Sequence, residues 1–124
     1  MSHFTTIKVQ IKNGEVLYNC LQELGYQIEC NSLVRGYQGD TTNAEYVIRQ
    51  QNGYDLGFRC QGETYELVAD FWGAGINQQQ FVNAINQKYA HKMLMHSVQE
   101  QGFNVEEEEV LQDGTVRVVV ARWV

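Results

Sequence analysis

The chain has 124 residues, of which 44% are hydrophobic and 11% aromatic, which is enough to fill the core of one domain over residues 1–124. Its formal charge is −6 and its nine basic residues are scattered, which opposes nucleic acid binding because phosphate backbones require clustered Lys and Arg. No apolar run approaches the roughly 20 residues of a membrane span and no signal peptide precedes the first strand pattern, so we expect a soluble protein.

The first part of the chain predicts a strand, a helix and a second strand. Residues 4–12 alternate apolar and β-branched side chains with polar ones, as in a half-buried strand. Asn13 can cap a helix that runs to Leu24, and the strand 26–30 follows Gly25. Residues 31–43 are rich in glycine and turn-forming residues, which predicts a loop with room for a short strand at 33–35.

The middle of the chain predicts a meander of three strands. These cover residues 46–50, 56–60 and 64–71, and Asn52-Gly53 is a strong tight-turn signal between the first two. Strands joined by tight turns must be antiparallel. Residues 72–75 contain two glycines and are expected to break the last strand.

The last part predicts a long helix and a hairpin. Asn77 can cap a helix that reaches about Gln101, long enough that part of it is expected to stand free of the sheet or to pack on a partner. After Gly102, strands 103–111 and 115–123 are predicted around the two-residue turn Asp113-Gly114.

A short internal repeat links the two helices. Residues 21–29 and 98–106 are identical at four of nine positions, and each copy reads as a helix end, a glycine and a strand start. Two corners of the same design predict an α+β fold: an antiparallel sheet with two helices packed on one face, ferredoxin-like or a duplicated split β-α-β arrangement.

The chemistry-bearing residues form no complete catalytic or metal-binding set. The three cysteines are odd in number and lack the Cys-x-x-Cys spacing of a zinc knuckle, which favours free thiols. His96 and Glu100 are one helical turn apart, but His91 is five residues from His96 and no third ligand is evident. We therefore predict neither a metal nor a cofactor.

Two glycine-containing segments could hold a ligand. The loop 35–40 includes Arg35, Tyr37 and Asp40, but it lacks the Lys-Ser/Thr ending of a phosphate-binding loop. In the corner 70–75, Asp70 next to Trp72 could act as a general acid or base, although a carboxylate that caps the corner through backbone N–H groups is the favoured interpretation.

Four successive glutamates, 106–109, lie in the first strand of the predicted hairpin. A charged edge strand that resists aggregation is the favoured interpretation, and an acidic docking strip for a basic partner is the functional alternative. Arg117 and Arg122 on the opposite strand can pair with these glutamates across the hairpin.

The whole chain resembles an uncharacterised family of cyanobacteria and red-algal plastid genomes, a domain of unknown function. The resemblance is carried by the segments 2–5, 52–58, 65–73, 87–90 and 113–123. It implies a cyanobacterial cytoplasm or plastid stroma as the compartment, and it implies no reaction and no catalytic residue.

The leading functional hypothesis is therefore a non-catalytic interaction or assembly module with a protein partner. The alternative is a small-ligand regulatory domain that binds at the loop 35–40 and the corner 70–75, and a less favoured one is an enzyme using Asp70 with Tyr37 or His91. The candidate binding residues are Arg35, Tyr37, Asp40, Asp70, Trp72, Tyr89 and His91.

Overall fold

The computed structural model describes residues 3–122 and contains two antiparallel sheets and three helices. The strands are β1 (Thr5–Lys8), β2 (Ile28–Arg35), β3 (Thr41–Ile48), β4 (Leu56–Gln61), β5 (Thr64–Ala69), β6 (Phe103–Val110) and β7 (Val116–Arg122). The helices are α1 (Gly14–Glu23), α2 (Phe71–Ala74) and α3 (Gln78–Glu100).

The five-stranded sheet has the order β1-β5-β4-β3-β2, and every neighbouring pair is antiparallel. Strands β1 and β2 consequently run parallel at its two edges, and α1 connects them, so this part is a split β-α-β unit with a three-stranded meander between its strands. The predicted α+β class, with helices on one side of an antiparallel sheet, is confirmed.

The strand that follows the second helix–glycine corner does not join the five-stranded sheet. Strands β6 and β7 pair only with each other among the described residues, and they form a separate two-stranded sheet. The expectation that the second corner adds its strand to the same layer, as a ferredoxin-like or duplicated arrangement requires, is therefore not met. A corner of local hydrogen bonds fixes how a helix ends, but it does not fix which strand edge is free to receive the chain.

The two corners themselves form as predicted. Gly25 has a φ of +93° and Gly102 a φ of +80°, in the left-handed region that glycine tolerates. At the first corner, the amide of Tyr26 donates to the carbonyl of Leu21 and the amide of Gly25 to that of Gln22, which is the Schellman pattern. Asn13 and Asn77 cap α1 and α3 with their side chains, also as predicted.

Three element boundaries differ from the predictions. The first strand ends at Lys8, although Val9 and Ile11 remain buried, because Gln10 adopts a φ of +55° that interrupts the ladder. The predicted loop 31–43 is instead largely paired, since β2 continues to Arg35 and β3 begins at Thr41. The corner after β5 holds the short helix α2, and the predicted strand end at residue 123 lies outside the described residues.

The helix-covered face of the five-stranded sheet carries the main core. Side chains of α1 and α3 pack on this face, and the core includes Leu17, Leu21, Phe58, Phe81 and Ile85. Phe58 of β4 and Phe81 of α3 lie with ring centroids 6.2 Å apart. The first two turns of α3 thus belong to the core of the sheet.

The opposite face is covered by the outer half of the β2–β3 hairpin, which folds back over the sheet. Val34 of β2 lies directly over Gly57 of β4, and a Cβ at position 57 would lie 2.4 Å from the Val34 Cγ2 atom. Val34, Ala44, Val47 and Val68 form a second buried cluster there. The missing side chain of Gly57 lets the hairpin close on this face.

Candidate functional site

A buried carboxylate, Asp55, holds the folded hairpin to the start of β4. Its side chain is fully buried and accepts hydrogen bonds from the Arg35 Nε and Nη2 atoms at 2.8 and 2.9 Å and from the Arg49 Nη1 atom at 2.6 Å. The backbone amides of Arg35 and Gln50 also donate to it, at 2.9 and 3.0 Å. We call Arg35, Arg49, Gln50 and Asp55 the ionic centre.

The ionic centre keeps its carboxylate ionised. Burial alone raises the pKa of Asp55, but the hydrogen bonds from Arg35, Gln50 and Arg49 outweigh burial and lower the pKa from 3.8 to about 2. The side-chain hydrogen bond between Arg35 and Asp55 also raises the pKa of Arg35. The buried Asp55 carboxylate depends on the partly exposed side chains of Arg35 and Arg49, because a buried charge that loses its partners is strongly destabilising.

Three predicted residues lie where β2 turns into β3: Arg35 ends β2, and Tyr37 and Asp40 lie in the loop that follows. Arg35 belongs to the ionic centre, so its charge is already paired with Asp55. The loop closes on itself, because the Gly36 amide donates to the Asp40 carbonyl and the Asp40 amide to the Tyr37 carbonyl. Tyr37 is half-buried and Asp40 is exposed.

The corner with Asp70 and Trp72 adjoins the ionic centre. Leu56, the first residue of β4, pairs with Ala69, the last residue of β5. Asp55 and Asp70 are the next residues outward from this pair, so they lie side by side at this end of the sheet. Asp70 is buried and its Oδ1 atom has no hydrogen-bond partner, whereas Trp72 is 76% exposed. The interpretation of Asp70 as a capping carboxylate is wrong, since its side chain makes no capping hydrogen bond to α2.

Side-chain amides join the corner to the ionic centre. The Gln50 Nε2 atom donates to the carbonyls of Tyr54 and Ala74, and the Asn52 Nδ2 atom donates to the Ala74 carbonyl at 3.0 Å. The loop 35–40 and the corner 70–75, distant in sequence, are thus connected through Gln50 and Asp55. Sequence reasoning missed Asp55, Arg49 and Gln50; the one available signal was an aspartate set between Tyr54 and Leu56 after a tight turn.

The other two predicted residues lie apart from this end of the sheet, on α3. The hydroxyl of Tyr89 accepts from the backbone amides of Lys12 and Asn13, at 3.4 and 3.1 Å, which holds α3 to the start of α1. The His91 Nε2 atom lies 2.6 Å from the Glu108 Oε1 atom of β6. Tyr89 therefore helps to hold α3 against the start of α1, and His91 contacts the β6–β7 hairpin.

A cleft opens where the tip of the β6–β7 hairpin approaches α1 and α3. We call it the tip cleft; its volume is about 290 Å³. It is lined by Leu24, Ala84, Gln87, Lys88, His91, Glu108, Val110 and Val116. A second groove of about 510 Å³ lies between α1 and α3 and shares Lys88 and His91 with the tip cleft.

Apolar side chains at the tip cleft are poorly covered. Leu24 is 37% exposed, Val110 57% and the neighbouring Leu111 40%. Charged groups frame them, since Glu23 of α1 pairs with Lys88 at 3.8 Å and also with Lys92. An apolar floor with a charged border is the usual composition of a protein-binding patch.

The four glutamates lie on β6, an edge strand of the separate two-stranded sheet, as predicted. Glu109 pairs with Arg117 across the hairpin at 3.4 Å, as predicted, whereas the side chain of Arg122 lies outside the described residues. His96 and Glu100 also face each other, at 3.1 Å. No group of three His, Cys, Asp or Glu side chains within residues 3–122 is arranged to hold a metal ion.

Comparison with known proteins identifies the family. Residues 20–119 match the family described as protein of unknown function, DUF1257. The chain belongs to this DUF1257 family. It is similar to the uncharacterized protein ycf35 of Guillardia theta, 34% identical over 99% of this chain and 98% of the relative, and to that of Cyanophora paradoxa, 30% identical with the same coverage.

A third relative, ycf35 of Pyropia yezoensis, is 29% identical over 99% of this chain and 98% of its own length. These relatives are encoded in algal plastid genomes, so the resemblance found in the sequence is confirmed. No solved structure matches the chain. No helix within residues 3–122 combines the length and apolar character needed to cross a bilayer.

Proposed function

We propose that this DUF1257 chain is a non-catalytic interaction module of cyanobacteria and plastids that binds a protein partner at the tip cleft. The observation that carries the proposal is the exposed apolar set Leu24, Val110 and Leu111 around a cleft of about 290 Å³. An apolar side chain of the partner would fill the cleft, as anchor residues do at protein interfaces.

The surroundings of the tip cleft support a protein partner. The hairpin and the part of α3 next to it contain no fully buried side chain from Asn86 to Ala121, although this stretch is rich in valine, leucine and methionine. Apolar surface left uncovered in one chain is typical of a surface that another molecule covers. The compartment proposed for this binding is the cyanobacterial cytoplasm or the plastid stroma.

A tagged purification with matched variants tests the proposal. Val110→Lys places a charge in the tip cleft, and Asn104→Lys adds the same charge to an exposed position of β6 on the opposite face of the hairpin. We expect wild type and Asn104→Lys to retain the same partner from cyanobacterial lysate and Val110→Lys to lose most of it. A partner retained by Val110→Lys, or none above background with wild type, would contradict the proposal.

A second candidate function, small-ligand binding at the corner 70–75, is favoured by one observation. The Oδ1 atom of Asp70 is buried without a hydrogen-bond partner, and buried polar atoms normally have one. A ligand bearing a donor group, such as an amine, would satisfy it. A metabolite thermal-shift screen should then raise the melting temperature of wild type and not of Asp70→Asn; the absence of any stabilising amine would remove this candidate.

A further inference from the structure

The described residues contain four strands at sheet edges, and three of them are protected against pairing with another strand. Strand β1 has only four residues and ends at Lys8, while β2 is interrupted at Asn31, where φ is +50°. Strand β6 carries the glutamates 106–109 and a register shift between Val105 and Glu107. Short length, charge and irregular backbone are the common means of blocking edge pairing.

Strand β7 is neither short nor irregular, and its only charged residues, Arg117 and Arg122, leave its centre uncharged. It is regular over seven residues and has four successive apolar residues, Val118–Ala121, between its two arginines. Helix α3 packs mainly against β6, which leaves β7 as the outer strand of the hairpin. Val120 is 38% exposed, and a two-stranded sheet is marginally stable by itself in water.

We propose that β7 pairs antiparallel with β7 of a second copy of this chain, so that two hairpins form one four-stranded sheet across a twofold axis. A register centred on Val119 pairs all seven residues of β7. It sets Arg117 opposite Ala121 and Val116 opposite Arg122, so no two arginines face each other. The contact is isologous and closed, which limits the assembly to a dimer.

In this register, the side chains on each face of one hairpin lie beside the side chains on the corresponding face of the other hairpin. Within one chain, Val118 pairs with Glu108 and Val120 with Val105, and these residues share the face that contacts α3. Pairing through Val119 sets Val118 of one copy beside Val120 of the other and covers the exposed Val120. Pairing of β6 with a second β6 is disfavoured, because any central register sets glutamate opposite glutamate.

This dimer is independent of the proposed function, because its contact lies on the outer edge of β7 and not in the tip cleft. A substitution at Val110 is therefore expected to leave dimerisation intact. The two proposals can fail separately: a monomeric wild type that still retains a partner removes the dimer, and a dimer without a partner removes the proposed function.

Sedimentation equilibrium of the full chain tests the proposal. We expect wild type to sediment at twice the chain mass in the micromolar range, and Val119→Lys to weaken dimerisation by roughly tenfold or more, because two like charges then lie opposite each other at the axis. Val119→Thr keeps a β-branched neutral side chain and serves as the matched control, expected to dimerise like wild type.

A mixing experiment separates a lost contact from a damaged fold. Glu107 pairs with Val119 inside the hairpin, so the acidic counterpart is Val119→Glu combined with Glu107→Gln. Each charged variant alone should be largely monomeric, and an equimolar mixture should recover the heterodimer. A monomeric wild type, dimerisation unaffected by Val119→Lys, or no recovery in the mixture would each overturn the proposal.

Discussion

At the scale of single residues, the ionic centre shows how one buried charge can secure a long-range contact. Asp55 directly precedes β4. Both arginines that bind it come from the β2–β3 hairpin, since Arg35 is the last residue of β2 and Arg49 directly follows β3. Arg49 also binds Glu29, the Ser32 hydroxyl and the Leu33 carbonyl. The outer half of the hairpin can therefore detach from the opposite face of the five-stranded sheet only if the buried Asp55 carboxylate loses its arginine partners, and that loss costs free energy of unfolding.

The substitution Asp55→Asn is expected to destabilise the fold by about 2 kcal/mol, because a neutral side chain replaces the buried carboxylate that accepts charge-assisted hydrogen bonds from Arg35 and Arg49. Denaturant unfolding at neutral pH measures this cost. The exposed Asp40→Asn is the matched control and should change stability little. A cost for Asp55→Asn no larger than that of Asp40→Asn would contradict this account.

The same carboxylate predicts how stability changes with pH. The folded-state pKa of Asp55, about 2, lies below its ordinary value of 3.8, so its contribution is present above about pH 4 and is lost as the pH falls towards 2. Between pH 6 and pH 2, wild type should lose about 2 kcal/mol more than Asp55→Asn. Parallel stability curves for the two proteins would exclude this linkage.

At the scale of elements, the closing of the β2–β3 hairpin depends on the space above β4. A Cβ at position 57 would lie 2.4 Å from the Val34 Cγ2 atom, 3.0 Å from the Ala44 Cβ atom and 3.1 Å from the Val68 Cγ1 atom. Glycine at this position is thus needed for close approach and not for an unusual backbone. The second core cluster exists because this one side chain is absent.

The substitution Gly57→Ala is expected to cost about 1–3 kcal/mol through overpacking. In a Val34→Ala background, the clashing methyl group is gone, so the same substitution should cost distinctly less. A double-mutant cycle by denaturant unfolding measures the coupling. Additive costs would mean that Val34 does not lie over Gly57 in solution.

At the scale of the whole molecule, the chain divides into a sheet lobe with both faces covered and a hairpin lobe with little interior. Phe81 and Ile85 are the last buried residues among the described side chains, and none from Asn86 to Ala121 is buried. This division agrees with a scaffold that presents a binding surface. Segments with few buried contacts open at low free energy.

Native-state hydrogen exchange should therefore resolve two units. Amides of β6, β7 and the last turns of α3 should exchange well before those of β3, β4 and β5, since opening them exposes little buried surface. Glu108→Gln, which weakens the contact with His91, should accelerate only the hairpin. Protection of β7 should also rise with protein concentration if it forms the dimer contact. Uniform exchange across both lobes would contradict the division.

Local features were the predictable part of this fold. Asn13, Asn77, Gly25 and Gly102 begin and end the helices where the sequence indicates, because capping needs only neighbouring residues. The ionic centre and the corner next to it were harder to predict. Arg35 and Asp70 stood out as charged residues in loops, but Asp55 did not, because its neighbours Tyr54 and Leu56 give no sign of the two arginines that would pair with it.

The sequence by itself determined the helices, the tight turns, the alternation of the strands and the family, since these depend on short-range periodicity and on capping. The tertiary structure alone decided the strand order, the folding of the β2–β3 hairpin over the sheet, the ionic centre and the separation of the β6–β7 hairpin. Those features depend on contacts between residues far apart in the chain, whose free energy is set by burial and charge pairing that arise only once the elements have packed.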